Sequence, residues 1–90
     1  MEFPVYVVSM GIFVAEDGTE HETYGISCIH NGEILKEIND ISTSHRLVSN
    51  MACLFTKCGL RLNRFKPALE VLISLGSDTL KEIGMYDEVC

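Results

Sequence analysis

The chain has no tryptophan and only two prolines among its 90 residues, and it lacks each pattern by which a sequence usually announces its chemistry. No glycine-rich loop stands between a strand pattern and a helix pattern, which excludes the phosphate cradles of nucleotide-binding folds. The most apolar run, Val5 to Ala15, is eleven residues long, whereas a membrane helix needs about 20. It also lacks the basic segment of a secretory signal, since Glu2 stands where Lys or Arg would be. Neither export nor membrane insertion is expected, and a buried strand accounts for the run. Repeats, low-complexity tracts and linkers are missing too, so residues 1–90 read as a single domain, within the roughly 50 to 200 residues that one core occupies.

What is present is a high apolar content. Hydrophobic residues make up 47% of the chain and mean hydropathy is +0.18, a composition that folds, because disorder needs low hydrophobicity with high charge. A domain this small buries only roughly 60 to 65% of the surface its unfolded chain exposes. The apolar surplus therefore points to self-association. The four cysteines, Cys28, Cys53, Cys58 and Cys90, are expected to be reduced thiols, because a chain so rich in aliphatic residues does not need disulfides in place of a core. Cys53 and Cys58 are five apart on a helical pattern, about 500° of rotation, so they diverge and do not pair with each other.

Two turn signals organise the first half. Asp17-Gly18 lies between Val14 and Tyr24, and Asn31-Gly32 between Ile29 and Ile34. Both are type I′ hairpin dipeptides, which predicts an antiparallel meander of strands near 4–15, 20–30 and 33–41, with Pro4 fitting the start of an edge strand. With two-residue loops, paired indices would sum to 35 in the first hairpin and 63 in the second. That register puts Tyr6, Val8, Met10, Ile12, Val14, Ile29, Ile34 and Ile38 on one face. It puts Val5, Val7, Phe13, Ala15, Tyr24, Ile26, Cys28, Leu35 and Ile41 on the other, while a three- or four-residue loop would reassign individual residues and still leave Val5 to Val8 and Ile12 to Val14 supplying both faces. Helices can cover only one of two apolar faces, so Tyr6, Val8, Met10, Ile12, Ile29, Ile34 and Ile38 are the candidate interaction residues.

After Ile41 the apolar period becomes helical. Ser42 or Ser44 can cap a first helix near 44–58, carrying Leu47, Val48, Met51, Ala52, Leu54, Phe55 and Cys58 and closed by Gly59. A second helix near 64–75 carries Phe65, Ala68, Leu69, Leu72 and Leu75, with Asn63 as cap, Pro67 in its first turn and Gly76 at its end. Val71 and Ile73 widen its apolar surface, so it is expected to be buried on more than one side, as the centre of the helical layer. Thr79-x-x-Glu82 reads as a capping box opening a third helix near 79–85, with a frayed tail from Asp87 to Cys90. The expected class is α+β, three strands followed by two or three helices.

Residues able to do chemistry are scattered. Cys28 and His30 are two apart on the second strand and share a face, but a structural zinc takes four ligands, and neither His21 nor His45 completes the spacing. Their bland reading is a core thiol and a polar strand end. Cys53 and Cys58 fall inside or at the C-terminal end of the first helix, where the dipole disfavours a thiolate, so they read as core residues. Cap chemistry explains the run Ser42-Thr43-Ser44-His45, and only Asp40 stands where it could orient His45. No cofactor is expected, and the chain reads as non-enzymatic.

Charge is segregated along the chain. Residues 41–66 carry Arg46, Lys57, Arg61, Arg64 and Lys66 with no acid, whereas residues 1–40 carry eight acids and one base, and the whole chain is −6. An overall acidic chain with little aromatic character beside its bases is a poor nucleic-acid binder. The five bases are nonetheless a candidate anion patch for nucleic acid or an acidic partner, or for the acidic part of a second copy.

The order Tyr24-Gly25-Ile26, a polar turn, Asp40-Ile41-Ser42-Thr43, Leu54, Cys58, Leu60 and Leu69-Glu70-Val71-Leu72-Ile73 resembles a family of short uncharacterised bacterial proteins, mostly of Gram-positive anaerobes, grouped as a domain of unknown function. The likeness spans residues 24 to about 75, with Glu70 where the family favours aspartate before the valine. It implies a bacterial, cytoplasmic protein with strands before helices, and it brings no activity. The expectation from the residues is therefore a protein-interaction or structural domain that dimerises with itself, or binds another protein, through its sheet. The alternatives are a binder of nucleic acid or an acidic partner through 46–66, and a thiol or metal protein through Cys28 and His30.

Overall fold

The computed structural model describes residues 3–87. Three strands, β1 (Val5–Val14), β2 (Glu20–His30) and β3 (Glu33–Ser42), form an antiparallel sheet in the order β1-β2-β3. Three helices follow, α1 (His45–Lys57), α2 (Leu62–Ser74) and α3 (Gly76–Glu82). The class is α+β, as the change of period from two to helical requires.

The second hairpin turns at Asn31-Gly32 with φ of 53° and 79°, the positive pair a type I′ turn demands. The first hairpin is different. Asp17 does not adopt positive φ; Gly18 alone does, at 88°, and its N–H donates to the Ala15 carbonyl while Ala15 N–H donates to that of Thr19, both at 2.9 Å. Glu16, Asp17 and Gly18 thus make a three-residue loop ending in a left-handed residue. The Asp17 carboxylate holds it, accepting from Thr19 N at 3.0 Å and Thr19 Oγ1 at 2.6 Å, bonds that draw its pKa below the ordinary value.

One extra loop residue moves the β1–β2 register by one, pairing Tyr6 with Cys28, Val8 with Ile26 and Met10 with Tyr24. That overturns the expected grouping of side chains. Ile26, Cys28 and Tyr24 join Tyr6 and Val8 on the helix-facing side, whereas Ile29 and Ile34 join Val5 and Val7 on the opposite side. The β2–β3 pairing starts in the expected register and then shifts twice, between Cys28 and Ile29 and between Tyr24 and Ile26. At the second shift β3 crosses so close to β2 that a Cβ on Gly25 would meet the Ile38 carbonyl oxygen and Asn39 Cα, and Asp40 takes a φ of 56°.

The core lies between this face and the helices: Tyr6, Ile26, Cys28, Leu47, Val48, Met51, Ala52, Phe55, Phe65, Leu69, Leu80 and Met85 are all buried. Tyr6 is its pivot. Its ring meets those of Phe55 and Phe65 edge-on, with centroids 5.6 and 4.9 Å away, and its hydroxyl donates to the Leu60 carbonyl at 2.8 Å. Burial, and then the neighbouring Cys28 thiol, hold the Tyr6 phenol well above its ordinary pKa.

Ser44 caps α1, its Oγ accepting from Leu47 N at 3.3 Å. Gly59, with φ of 63°, closes the helix as Leu60 N–H reaches back to the Phe55 carbonyl at 3.0 Å. Three helix expectations are corrected. First, α2 starts at Leu62, earlier than the cap at Asn63 would allow, so Pro67 falls in its second turn and leaves the exposed Asn63 carbonyl without its helical donor. Second, only Phe65 and Leu69 of α2 are buried, while Leu62, Val71, Ile73 and Leu75 face outward; α1, with six buried residues, is the central helix. Third, α3 begins at Gly76 directly behind α2, which places Thr79 inside it instead of at its cap. The buried Asn50 ties the following segment to α1, its Nδ2 donating to the Met85 and Asp87 carbonyls at 2.6 Å each. The tail expected to fray lies outside the described residues beyond Asp87.

Candidate interaction surfaces

The corrected register changes what the sheet exposes. Along the uncovered side of the central strand stand Thr23, Gly25 and Ser27, small and buried between their neighbours. Thr23 Oγ1 donates to Asp40 Oδ1, and Ser27 Oγ donates to Glu37 Oε2 at 2.6 Å. Ser9 and Gly11 continue this stripe on β1. The uncovered face is therefore polar through its middle, with apolar side chains at one end, Val5, Val7, Ile29 and Ile34, and Phe13 at the other. It is not the continuous apolar face that the pattern alone implied.

The larger exposure is elsewhere. Met10, Ile12 and Val14 lie on the same side of β1 as Tyr6 and Val8, yet they are 65%, 63% and 59% exposed. The hairpin outruns the helices that cover its other end, giving a molecule 48 Å along its longest axis and 22 Å along its shortest. Of the seven expected interaction residues, Tyr6 is buried under α1 and α2, Val8 and Ile38 pack against the core, Ile29 and Ile34 sit on the opposite face, and only Met10 and Ile12 project from the uncovered arm.

β1 is also an edge. Tyr6 N–H donates to Thr56 Oγ1 at 2.9 Å, and the same hydroxyl lies 3.2 Å from the Tyr6 carbonyl oxygen, so the amide groups of Tyr6 point away from β2 and are closed off by α1. By the alternation of a strand, the amide groups of Val8, Met10, Ile12 and Val14 point the same way. Among the described residues nothing pairs with them. Native edges are normally blunted by charge, proline or a bulge, and from Val8 to Val14 this edge has none of these.

The five bases do not form one patch. Lys57, Arg61, Arg64 and Lys66 gather around the α1–α2 corner and are exposed, while Arg46 stands at the start of α1, roughly 16 Å from Lys57 along the helix axis. The corner sits at the Val5 end of β1, held there by the Tyr6 bonds to Thr56 and Leu60. Glu16, Asp17, Glu20 and Glu22 occupy the other end, around the hairpin tip, and all are exposed.

Cys28 and His30 do face the same way, but Cys28 is buried against Tyr6 and His30 is half-buried at the strand end, its Nε2 enclosed without a hydrogen-bond partner. Among the described residues no group of three or more His, Cys, Asp or Glu is placed to hold a metal ion. Asp40 bonds to Thr23 and not to His45, whose ring packs edge-on against Tyr24 at 5.0 Å. Ser42 Oγ accepts from Ser44 N at 3.0 Å, so those hydroxyls serve the helix start. The thiols are corrected as well: Cys53 is disulfide-bonded, and Cys58 is free but exposed, not a core residue.

A feature unread in the sequence is an apolar groove of about 320 Å³ between α1 and α2, lined by Leu54, Phe55, Cys58, Leu60, Ala68, Val71 and Leu72. The outward Val71 was its one visible sign. Among the described residues no helix is long and apolar enough to cross a membrane. Compared with protein-family models, curated proteins and solved structures, the chain finds no match.

Proposed function

We propose that this chain is a non-enzymatic interaction domain that self-associates through the part of its sheet the helices leave uncovered. The observation that carries the reading is the arm of β1, an uncharged edge with Met10, Ile12 and Val14 more than half exposed on the helix-facing side. Exposed apolar residues scattered singly need no explanation, but a run of them beside an unpaired strand edge offers both burial and backbone hydrogen bonds to a partner. The cytoplasm is part of the proposal. There the disulfide at Cys53 would be kept reduced, and the buried cluster that joins sheet to helices does not include Cys53. Light scattering on the purified chain is the test: a dimer at micromolar concentration supports the reading, and a monomer there overturns it.

A further inference from the structure

We propose that two copies join edge to edge through β1, antiparallel about a two-fold axis at Gly11, to make one six-stranded sheet. This rests on the self-association just proposed and names its geometry. The free edge fixes the register. Thr56 closes β1 at Tyr6 and the hairpin turns after Val14, so the span open to pairing runs from Val8 to Val14, and its middle residue is Gly11. A symmetric antiparallel pair uses the same patch on both copies, which sets Val8 against Val14 and Met10 against Ile12 across the axis, twice each. All four have amide groups pointing outward, so the pairing can form about eight backbone hydrogen bonds without disturbing the bonds of β1 to β2.

Burial and charge favour the same arrangement. Met10, Ile12 and Val14 are uncovered on the side where the helices lie, and the two-fold brings the helix-covered Val5 end of the second copy beside them, with its α1 and α2 on that same side. With on the order of 100 Å² exposed on each, these three positions supply roughly 600 Å² from two copies, about half of the roughly 1,200 Å² at which specific interfaces begin. The edge backbone and the flanking helices are placed to supply the remainder. The same operation lays the hairpin tip of each copy, with Glu16, Asp17 and Glu20, next to the corner of the other that carries Lys57, Arg61 and Arg64. Acid meets base at both ends of the interface, which gives the acid-free stretch from 41 to 66 a partner within the dimer.

The test uses the whole chain. Ile12→Pro removes one outward N–H that β2 does not use, and Met10→Lys places a charge on the edge. Each is expected to raise the dimer dissociation constant at least about tenfold in sedimentation, with an unchanged circular dichroism spectrum, and added salt should weaken the native dimer. Gly11→Cys, in a Cys58→Ser background, puts two thiols across the axis at a Cα separation near 4.5 Å, within disulfide range. The added Cβ finds only ordinary contacts, with Thr23 Oγ1 at 3.6 Å and Asp40 Oδ1 at 3.9 Å. Mild oxidation should convert this variant to a covalent dimer, whereas Ser9→Cys, which would face Phe13, should not. A native chain that is monomeric overturns both this geometry and the reading beneath it. A native dimer that survives Met10→Lys and gives no covalent dimer with Gly11→Cys overturns the edge pairing alone. Should Ile12→Pro fail to fold, the other two variants decide.

Discussion

Thr56 is the residue whose replacement best tests how α1 is joined to the sheet. Its Oγ1 accepts the Tyr6 N–H at 2.9 Å and lies 3.2 and 3.0 Å from the carbonyl oxygens of Tyr6 and Ala52. Thr56→Val keeps the shape of the side chain and removes that oxygen. Tyr6 is only 3% exposed, so its N–H loses its partner where water has poor access, and an unsatisfied buried donor costs about 1 to 3 kcal/mol. For a domain of this size that loss lowers Tm by roughly 5 to 20 °C. Urea unfolding followed by circular dichroism should show the midpoint falling with m unchanged, because the surface exposed on unfolding is the same. Thr56→Ser, which retains the oxygen, should lie within about 1 kcal/mol of the native chain. A Val variant that loses less than about 0.5 kcal/mol, or Ser and Val variants equally destabilised, would refute the assignment of this hydroxyl as the closure of the β1 edge.

Four further outcomes follow from the packing. Gly25→Ala should cost about 1 to 3 kcal/mol or more, since its Cβ meets β3 backbone that cannot rotate away, while Gly11→Ala should stay within about 1 kcal/mol; paired urea curves check both. Phe65→Ala removes a fully buried ring that packs against those of Tyr6 and Phe55, and should cost about 3 to 5 kcal/mol by the same measurement. Asn50→Ala should speed amide hydrogen exchange after Leu80 more than in the sheet, because it releases the bonds to Met85 and Asp87. The raised pKa of Tyr6 means that the unfolded chain ionises first: its contribution to stability is whole below pH 10.0, the unfolded value, and is lost as pH rises above it. Alkaline urea titrations of the native chain and Tyr6→Phe should therefore converge as pH rises beyond that point.

Local chemistry determined much of this protein. The strands, the Asn31-Gly32 turn, the Ser44 cap and the Gly59 stop were legible because each depends on a residue's own backbone preference and its near neighbours. The charge asymmetry and the uncharged β1 were legible for the same reason, being properties of the string itself. What the string left open was one loop residue. Asp17-Gly18 suits a two-residue turn or a three-residue turn, and the choice was made by the Asp17 carboxylate bonding Thr19 and by which side chains could reach the helices. Because side chains alternate with period two, that one residue moved Ile29 and Ile34 away from the core and brought Ile26 and Cys28 into it. The second β2–β3 shift at Gly25, the outward face of α2 and the groove beside it were likewise settled by packing between distant segments, which no local preference encodes. The candidate surface divides in the same way: sequence pointed to an apolar sheet face in need of a partner, and tertiary structure alone decided that the exposed apolar run lies along the edge of β1, at Met10, Ile12 and Val14.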